Sequence, residues 1–432
     1  MKNGVAAMNP SWEELKADAY QRIAQAVDLR RVGFFSDEQM RRALHVKVDD
    51  TCRTQLPALA PRDLGRLVEE LMGDLVGLGP LDPLLADPTV TDILVNGPDR
   101  VYVERRGKLE LTGVRFPSDA HVAHLVARIA AFVGRQVSEA CPVLDARLPD
   151  GSRVNAILPP LAIDGTTLSI RRFGRRVGLD ELLDGKMLTS EMAMLLDCAV
   201  KARLNIAVSG GTGSGKTTLL NVLSSFIPDD HRVVTIEDAA ELRLQQRHVV
   251  RLETRPPDLD GQGAFTARDL LRNALRMRPD RIIVGECRGA EALDTLQAMN
   301  TGHEGSLTTL HANTPRDALA RLETMVLMGG FELPVRAIRQ QIASAVDVIV
   351  QVARLPGGRR RVTHISEVLG LEQDMITMQD VFTFRRTGVD GADAARGQFE
   401  CMGIRPKFMA KLEGAGARLP TNLFQQRVLL RD

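Results

Sequence analysis

Apolar positions change their rhythm along the chain. Over the first 80 residues they recur at helical spacing. Ser11-Trp12-Glu13-Glu14 has the form of a capping box, with Leu15, Ile23 and Val27 following at helical intervals. A second helix is predicted over 63–76 and stops at Gly77-Leu78-Gly79-Pro80. This leading segment is open to two readings, a helical tail serving solubility or a docking module for a partner.

From about 81 to 173 the rhythm becomes short alternation. Ile93-Leu94-Val95 runs into an Asn96-Gly97-Pro98 turn and then Val101-Tyr102-Val103-Glu104. Arg106-Gly107-Lys108 turns the chain into Leu109-Glu110-Leu111, and a helix is predicted over 118–133. Two more strands are predicted, 152–157 after Pro149-Asp150-Gly151, and 167–172. Together these make a small α+β domain. Gly174-Arg175-Arg176-Val177-Gly178 reads as a linker, taken to span 174–182, with the next domain covering 183–432.

That domain reads as α/β. Strands are predicted at 206–208, 233–236, 248–252, 281–284 and 307–310, and helices at 267–277, capped by Thr266, and at 315–327, with Pro315 at the first position. Strands alternating with helices imply a mostly parallel sheet that binds ligands at the strand carboxyl ends. Val348 to Val352 and Val362 to Ile365, around Pro356-Gly357-Gly358, read as a hairpin. From about residue 385 the pattern weakens, and the end of the chain is expected to be a helical extension of the core.

Within this frame one stretch carries unmistakable chemistry. Ile206-Ala207-Val208 leads into Gly210-Gly211-Thr212-Gly213-Ser214-Gly215-Lys216-Thr217-Thr218, and Leu219, Leu220, Leu223 and Ile227 follow at helical spacing. Every fixed position of G-x-x-x-x-G-K-[ST] is filled, between a strand and a helix. Glycines let backbone N–H groups curl inward as an anion nest, and the helix adds its positive end. Lys216 would reach the β- and γ-phosphates, and the Thr217 hydroxyl would ligate Mg²⁺. A nucleoside triphosphate site is predicted.

Composition narrows the partners. Lys+Arg 56 against Asp+Glu 55 leaves the net charge at +1, and there are one Trp and two Tyr. Neutrality and scarce aromatics argue against nucleic acid as the partner. The five cysteines are scattered without a C-x-x-C pair, so neither a zinc site nor a disulfide framework is indicated, which fits a reducing cytoplasm. No run reaches membrane-spanning length. A guanine-reading N-K-x-D segment is absent, which argues against a GTP switch.

Other candidate residues sit at predicted strand ends. Glu286 closes Ile282-Ile283-Val284-Gly285-Glu286 and could orient or deprotonate the attacking water, while Gly285 stands where a metal-side Asp is usual. Glu237 follows Thr235-Ile236; it could hold Mg²⁺-bound water, or be an acid favoured by a helix dipole. His303 and His311 bracket one strand and are read either as structural residues or as γ-phosphate sensors. By period-two alternation Arg153 and Arg171 face away from Val154, Ala156, Leu168 and Ile170. They are solvated surface, or they stabilise the γ-phosphate across a domain cleft. The 183–432 domain shows no clear cation of its own for that task beyond Lys216.

The ordered series Gly210 to Thr218, Thr235-Ile236-Glu237-Asp238, Ile283-Val284-Gly285-Glu286 and Thr301-Gly302-His303 to Leu310-His311-Ala312-Asn313 resembles the Walker A, Asp box, Walker B and His box of the secretion-ATPase superfamily. Arg278 to Glu286 and Asp150 to Ala156 most closely resemble its CpaF/TadA branch, the tight-adherence (type IVc) pilus assembly ATPases. The resemblance covers roughly 80 to 385. It implies a RecA-like P-loop NTPase core behind a smaller PAS-like α+β domain and a leading helical segment, using ATP and Mg²⁺. Further implied are a homohexameric ring, cytoplasmic and peripheral to the inner membrane, docked on polytopic platform proteins and acting indirectly on pilin subunits. The family's arginines carry over to Arg153 and Arg171. The tetracysteine zinc module of type II secretion ATPases is absent, and the VirB11-like branch of conjugation and effector secretion is the alternative.

Overall fold

Separate hydrophobic cores organise the chain, which divides into two units, Met1–Gly174 and Arg175–Asp432. The computed structural model describes residues 12–26, 38–55, 59–105, 108–148, 150–172, 177–257, 262–389 and 395–431. The expected cap at Ser11, Val27, the turn residues Arg106 and Gly107, Pro149, and the linker residues 174–176 lie outside the described residues.

In the first unit, α1 (Trp12–Ala26), α2 (Glu38–Gln55) and α3 (Pro61–Val76) share a core that includes Ile23, Val48, Leu67, Leu71 and Leu75. Sequence reading made the first 80 residues helical but set no bounds for α2, whose buried stripe among the described side chains is Leu44, Val48 and Cys52, one residue per turn. After the short α4 (Asp82–Ala86) come β1 (Val90–Asn96), β2 (Val101–Arg105), β3 (Lys108–Leu111), α5 (Asp119–Phe132), β4 (Val143–Arg147), β5 (Arg153–Ile157) and β6 (Thr167–Arg171). The strands form an antiparallel sheet in the order β3-β2-β1-β6-β5-β4. Helix α5 is capped by Ser118 and packs Val122, Leu125, Val126 and Ile129 with Val154, Ala156, Leu168 and Ile170. Strand β4 went unpredicted because it buries one residue, Leu144. Register puts Arg153 beside both Arg147 and Arg171, and Arg171 beside Asp92.

The second unit opens with α6 (Leu179–Asp184) and α7 (Ser190–Lys201). A linker reaching 182 is therefore corrected: Leu182 is buried in this unit's core, so the chain is already folded helix there. Next come β7 (Ile206–Gly210), α8 (Lys216–Ser224), β8 (Val233–Glu237), β9 (Val249–Glu253), α9 (Ala267–Ala274), β10 (Arg281–Cys287), α10 (Glu291–Asn300), β11 (Leu307–Leu310), α11 (Pro315–Met328) and α12 (Val335–Ala345). Then follow β12 (Val348–Arg354), β13 (Arg360–Glu372), β14 (Met375–Val389), β15 (Ala395–Cys401), α13 (Met409–Gly414) and β16 (Arg427–Arg431). One ten-stranded sheet runs β16-β15-β14-β13-β12-β7-β11-β10-β8-β9. From β12 to β9 the pairs are parallel, and from β12 to β16 antiparallel.

Strand β7 is buried on both faces, as a central parallel strand must be. Ile206 and Val208 enter the core with α7 and α8, while Ala207 enters the one with α10, α11 and α12. The P-loop strand β7 lies between β12 and β11, one strand removed from β10, which ends in the acidic site. This is a RecA-like core. The expected helical extension at the C-terminus is a further correction. Phe382, Phe384, Phe399 and Cys401 alternate inward on β14 and β15, a period-two pattern that makes a sheet, and among the described residues α13 is the one α-helix beyond α12.

Candidate active site

Because β7, β8, β10, β11 and β12 are parallel, their carboxyl ends share one sheet edge. The phosphate loop leaves β7 there. A Cβ on Gly210 would come 2.4 Å from the Val352 carbonyl oxygen and 2.6 Å from Ser214 Oγ, so only glycine lets the loop leave between β12 and its own return. Gly215, at φ +98°, turns into α8. Ser214 Oγ donates to Gly211 O at 2.8 Å and Lys216 Nζ to the same oxygen at 3.1 Å. Gly211, Thr212, Gly213, Thr217 and Thr218 complete the loop and first helical turn, with the helix N-terminus directed into it.

Glu237, the last residue of β8, is 5% exposed. Its Oε1 accepts from the Glu241 and Leu242 N–H groups, each at 2.9 Å. Burial raises its carboxyl to about 7, against those two hydrogen bonds and the Arg251 charge. A Cβ on Gly285 would lie 2.8 Å from Glu237 Cγ. Gly285, standing where a metal-side Asp is usual, has no room for a side chain because the neighbouring strand's glutamate occupies that space. Oε2 of Glu237 is buried with no hydrogen-bond partner. A buried carboxylate oxygen left open fits Mg²⁺ or a water bound to it. Among the described residues no three His, Cys, Asp or Glu side chains group to hold a metal unaided. A cation here would therefore rest on Thr217, Glu237 and phosphate oxygens.

Glu286 lies near the end of β10, its side chain 23% exposed. Arg288 donates to Glu286 Oε2 at 2.5 Å and pairs with Asp238 at 3.4 Å. Burial would raise the Glu286 carboxyl, but the Arg288 hydrogen bond and charge, with Lys216 and His311, hold it below the usual range. It is therefore ionised, as a water-orienting base requires. Arg288 was missed by sequence reading. Its main chain is fixed by Glu291 Oε1, which accepts from Arg288 N at 2.6 Å and Gly289 N at 2.8 Å.

The two histidines separate. His311 follows β11 on the phosphate-loop edge, and burial and then the Lys216 charge depress its pKa, leaving the ring neutral near pH 7. His303 precedes β11, so the four-residue strand, about 13 Å long, places it toward the opposite edge. There its carbonyl accepts from Ser306 Oγ, while Gly305 and Ser306 N–H bond Asn205 at the start of β7. The expectation that His303 senses the γ-phosphate is corrected on that geometry.

Also corrected is the expectation that this unit offers no cation near the loop beyond Lys216. Arg360 Nε donates to Gly213 O at 3.0 Å, and Arg354 lies against the same glycine. Arg153 and Arg171 belong to the other unit, opposite one another on β5 and β6; Arg153 is half-buried and Arg171 exposed. No helix among the described residues is long and apolar enough to cross a membrane.

Residues 74–400 match the model of the family described as Type II/IV secretion system protein. The chain is 42% identical over 303 residues to a putative conjugal transfer protein of Mycobacterium tuberculosis (strain ATCC 25618 / H37Rv), covering 68% of this chain and 86% of that protein. It is 37% identical over 320 residues to the type IV secretion system protein VirB11 of Brucella suis biovar 1 (strain 1330), covering 67% and 88%. The crystal structure of the Brucella suis VirB11 ATPase in complex with sulphate aligns at TM-score 0.36 and 34% identity, over 67% of this chain and 95% of that one. The chain belongs to the type II/IV secretion system protein family, and its phosphate loop and RecA-like core make it an ATPase of that family.

Proposed function

We propose that this protein is a motor ATPase that couples hydrolysis of Mg-ATP to movement of a macromolecular substrate through a membrane-docked, type IV secretion-related machine. The observation that carries this is the convergence of Lys216, Glu237, Glu286 and His311 on the edge bearing the phosphate loop. Lys216 and the loop N–H groups bind the β- and γ-phosphates. Ionised Glu286 orients the attacking water and takes up its proton, and neutral His311 reports on the γ-phosphate. Bound Mg²⁺ would neutralise phosphate charge, with Thr217 and Glu237 on its protein side. Arg153 and Arg171 would supply further positive charge to the γ-phosphate.

The relatives' descriptions as conjugal transfer and VirB11 proteins favour protein or DNA substrates. A second reading, pilin assembly in a tight-adherence pilus, rests on Arg278 to Glu286 and Asp150 to Ala156. In both, a homohexamer sits peripherally on the cytoplasmic side of the inner membrane against polytopic platform proteins. Lys216→Ala should lose ATP binding and turnover together, whereas Glu286→Gln should bind ATP and fail to hydrolyse it. Equal loss of affinity in both would sink the assignment. Complementing a host deletion with Glu286→Gln separates the readings: loss of surface pili selects the second, loss of conjugal or effector transfer the first.

A further inference from the structure

Strands β12 and β13 run on past the sheet edge as a hairpin turned at Pro356–Gly358, and Arg354 pairs with Arg360 across it. Like charges directly opposite on a hairpin are destabilising. Both are nevertheless directed at Gly213 of the phosphate loop. Arg360 Nε donates to Gly213 O at 3.0 Å, and Arg354 Nη1 lies 3.4 Å from the position a Cβ on Gly213 would take. The Arg360 stem passes Gly215, its Cδ 3.4 Å from the point a Cβ there would occupy.

The root of this arm is fixed. Val362 N donates to Met187 O at 2.7 Å, and Arg361, 4% exposed, donates to Gly185 O at 2.9 Å. Leu355 N donates to Arg359 O at 2.7 Å and closes the turn. Arg360 therefore reaches Gly213 from an anchored base. By holding that carbonyl it sets one peptide plane of a loop whose N–H groups must face a phosphate.

We infer that the β12–β13 hairpin is a cationic pincer supplied by the same chain as the phosphate loop: Arg360 is a positioning residue for the loop at Gly213, and Arg354 beside it contacts the phosphates of a nucleoside di- or triphosphate. Both guanidiniums reach the loop from one rooted hairpin, so an anion bound in the loop would meet two charges from a single direction. This rests on the phosphate-loop reading given above.

The test uses the full chain with fluorescent ATP and ADP, and thermal melting without nucleotide. Arg360→Ala and Arg354→Ala should each weaken both nucleotides by on the order of tenfold, the low end for a charged hydrogen bond because both side chains are exposed. Melting without nucleotide should shift little, as expected for substitutions at exposed positions. Arg360→Gln, which keeps an N–H donor without the charge, should bind better than Arg360→Ala. Unchanged affinity in both alanine variants overturns the pincer, as does an affinity loss matched by a lower melting temperature, which would mark the arginines as scaffold alone. Failure of the unaltered chain to bind either nucleotide would instead overturn the phosphate-loop reading, and the pincer with it.

Discussion

Replacing Glu237 with glutamine tests the electrostatics of the site through stability alone. The carboxyl is 5% exposed, and burial raises it to about 7 from 4.5. In the unfolded chain it titrates near the ordinary value. Between about pH 4.5 and 7 the folded protein holds a proton that the unfolded chain has released. The contribution is therefore fully present below about pH 4.5, declines as pH rises, and is gone above about pH 7. At about 1.4 kcal/mol for each unit, the loss is roughly 3 kcal/mol. Glutamine carries no such proton and keeps the shape, so Glu237→Gln should gain on the unaltered protein across this window. For a unit of this size that is roughly 6–12 °C in melting temperature. Thermal unfolding of both proteins without nucleotide, from about pH 5 to 8.5, measures the difference while other titrations cancel. A pH-independent offset, or a glutamine variant that loses ground as pH rises, would refute a neutral buried Glu237.

Gly285→Ala puts a Cβ 2.8 Å from Glu237 Cγ. Overpacking of this kind costs about 1–3 kcal/mol, and here it also displaces the carboxylate from the Glu241 and Leu242 N–H groups. Turnover should fall with ATP affinity largely kept, and adding Glu237→Ala should recover stability but not activity; a Gly285→Ala enzyme of full activity would show the packing to be irrelevant. Arg153→Ala in the full chain should bind ATP yet turn it over roughly 10³-fold more slowly or worse, the range for a lost arginine finger. Arg153→Lys should restore little because a point charge does not reproduce the guanidinium fork. Full turnover by Arg153→Ala would make that arginine a surface residue.

Much of the second unit was legible because its signals are local. Glycine spacing marked the phosphate loop, Thr266 and Pro315 marked helix starts, and the Pro356-Gly357-Gly358 turn marked a hairpin. What stayed hidden depends on register and direction. Nothing local says which end of β11 meets the phosphate loop, so His303 and His311 looked alike until β11 was paired parallel to β7. The bounds of α2, inside a stretch read as helical, and strand β4 itself were not found because each buries too few residues to set a period. The hairpin did carry an unused clue: pairing Val352 with Val362 across the turn brings Arg354 opposite Arg360. Arg288 had no such signal, since Asp238 meets it only where the end of β8 comes beside β10.

The parallel register of β8 and β10 also explains how the acidic site tolerates a glycine where an aspartate is usual. Ile236 is beside Val284, so the next residues along, Glu237 and Gly285, are neighbours across the ladder. A side chain on β10 at that point would meet the one from β8. With glycine on β10, the longer glutamate fills the gap, and one of its oxygens is taken up by the two N–H groups that follow β8. The two carboxylates then stand on different strands and are held by different partners, main-chain N–H groups for Glu237 and Arg288 for Glu286. Their ionisation is separated in the same way. Burial raises one carboxyl to about 7, whereas the guanidinium holds the other below its usual range. Two acids at one sheet edge thus avoid the repulsion that both would feel if ionised.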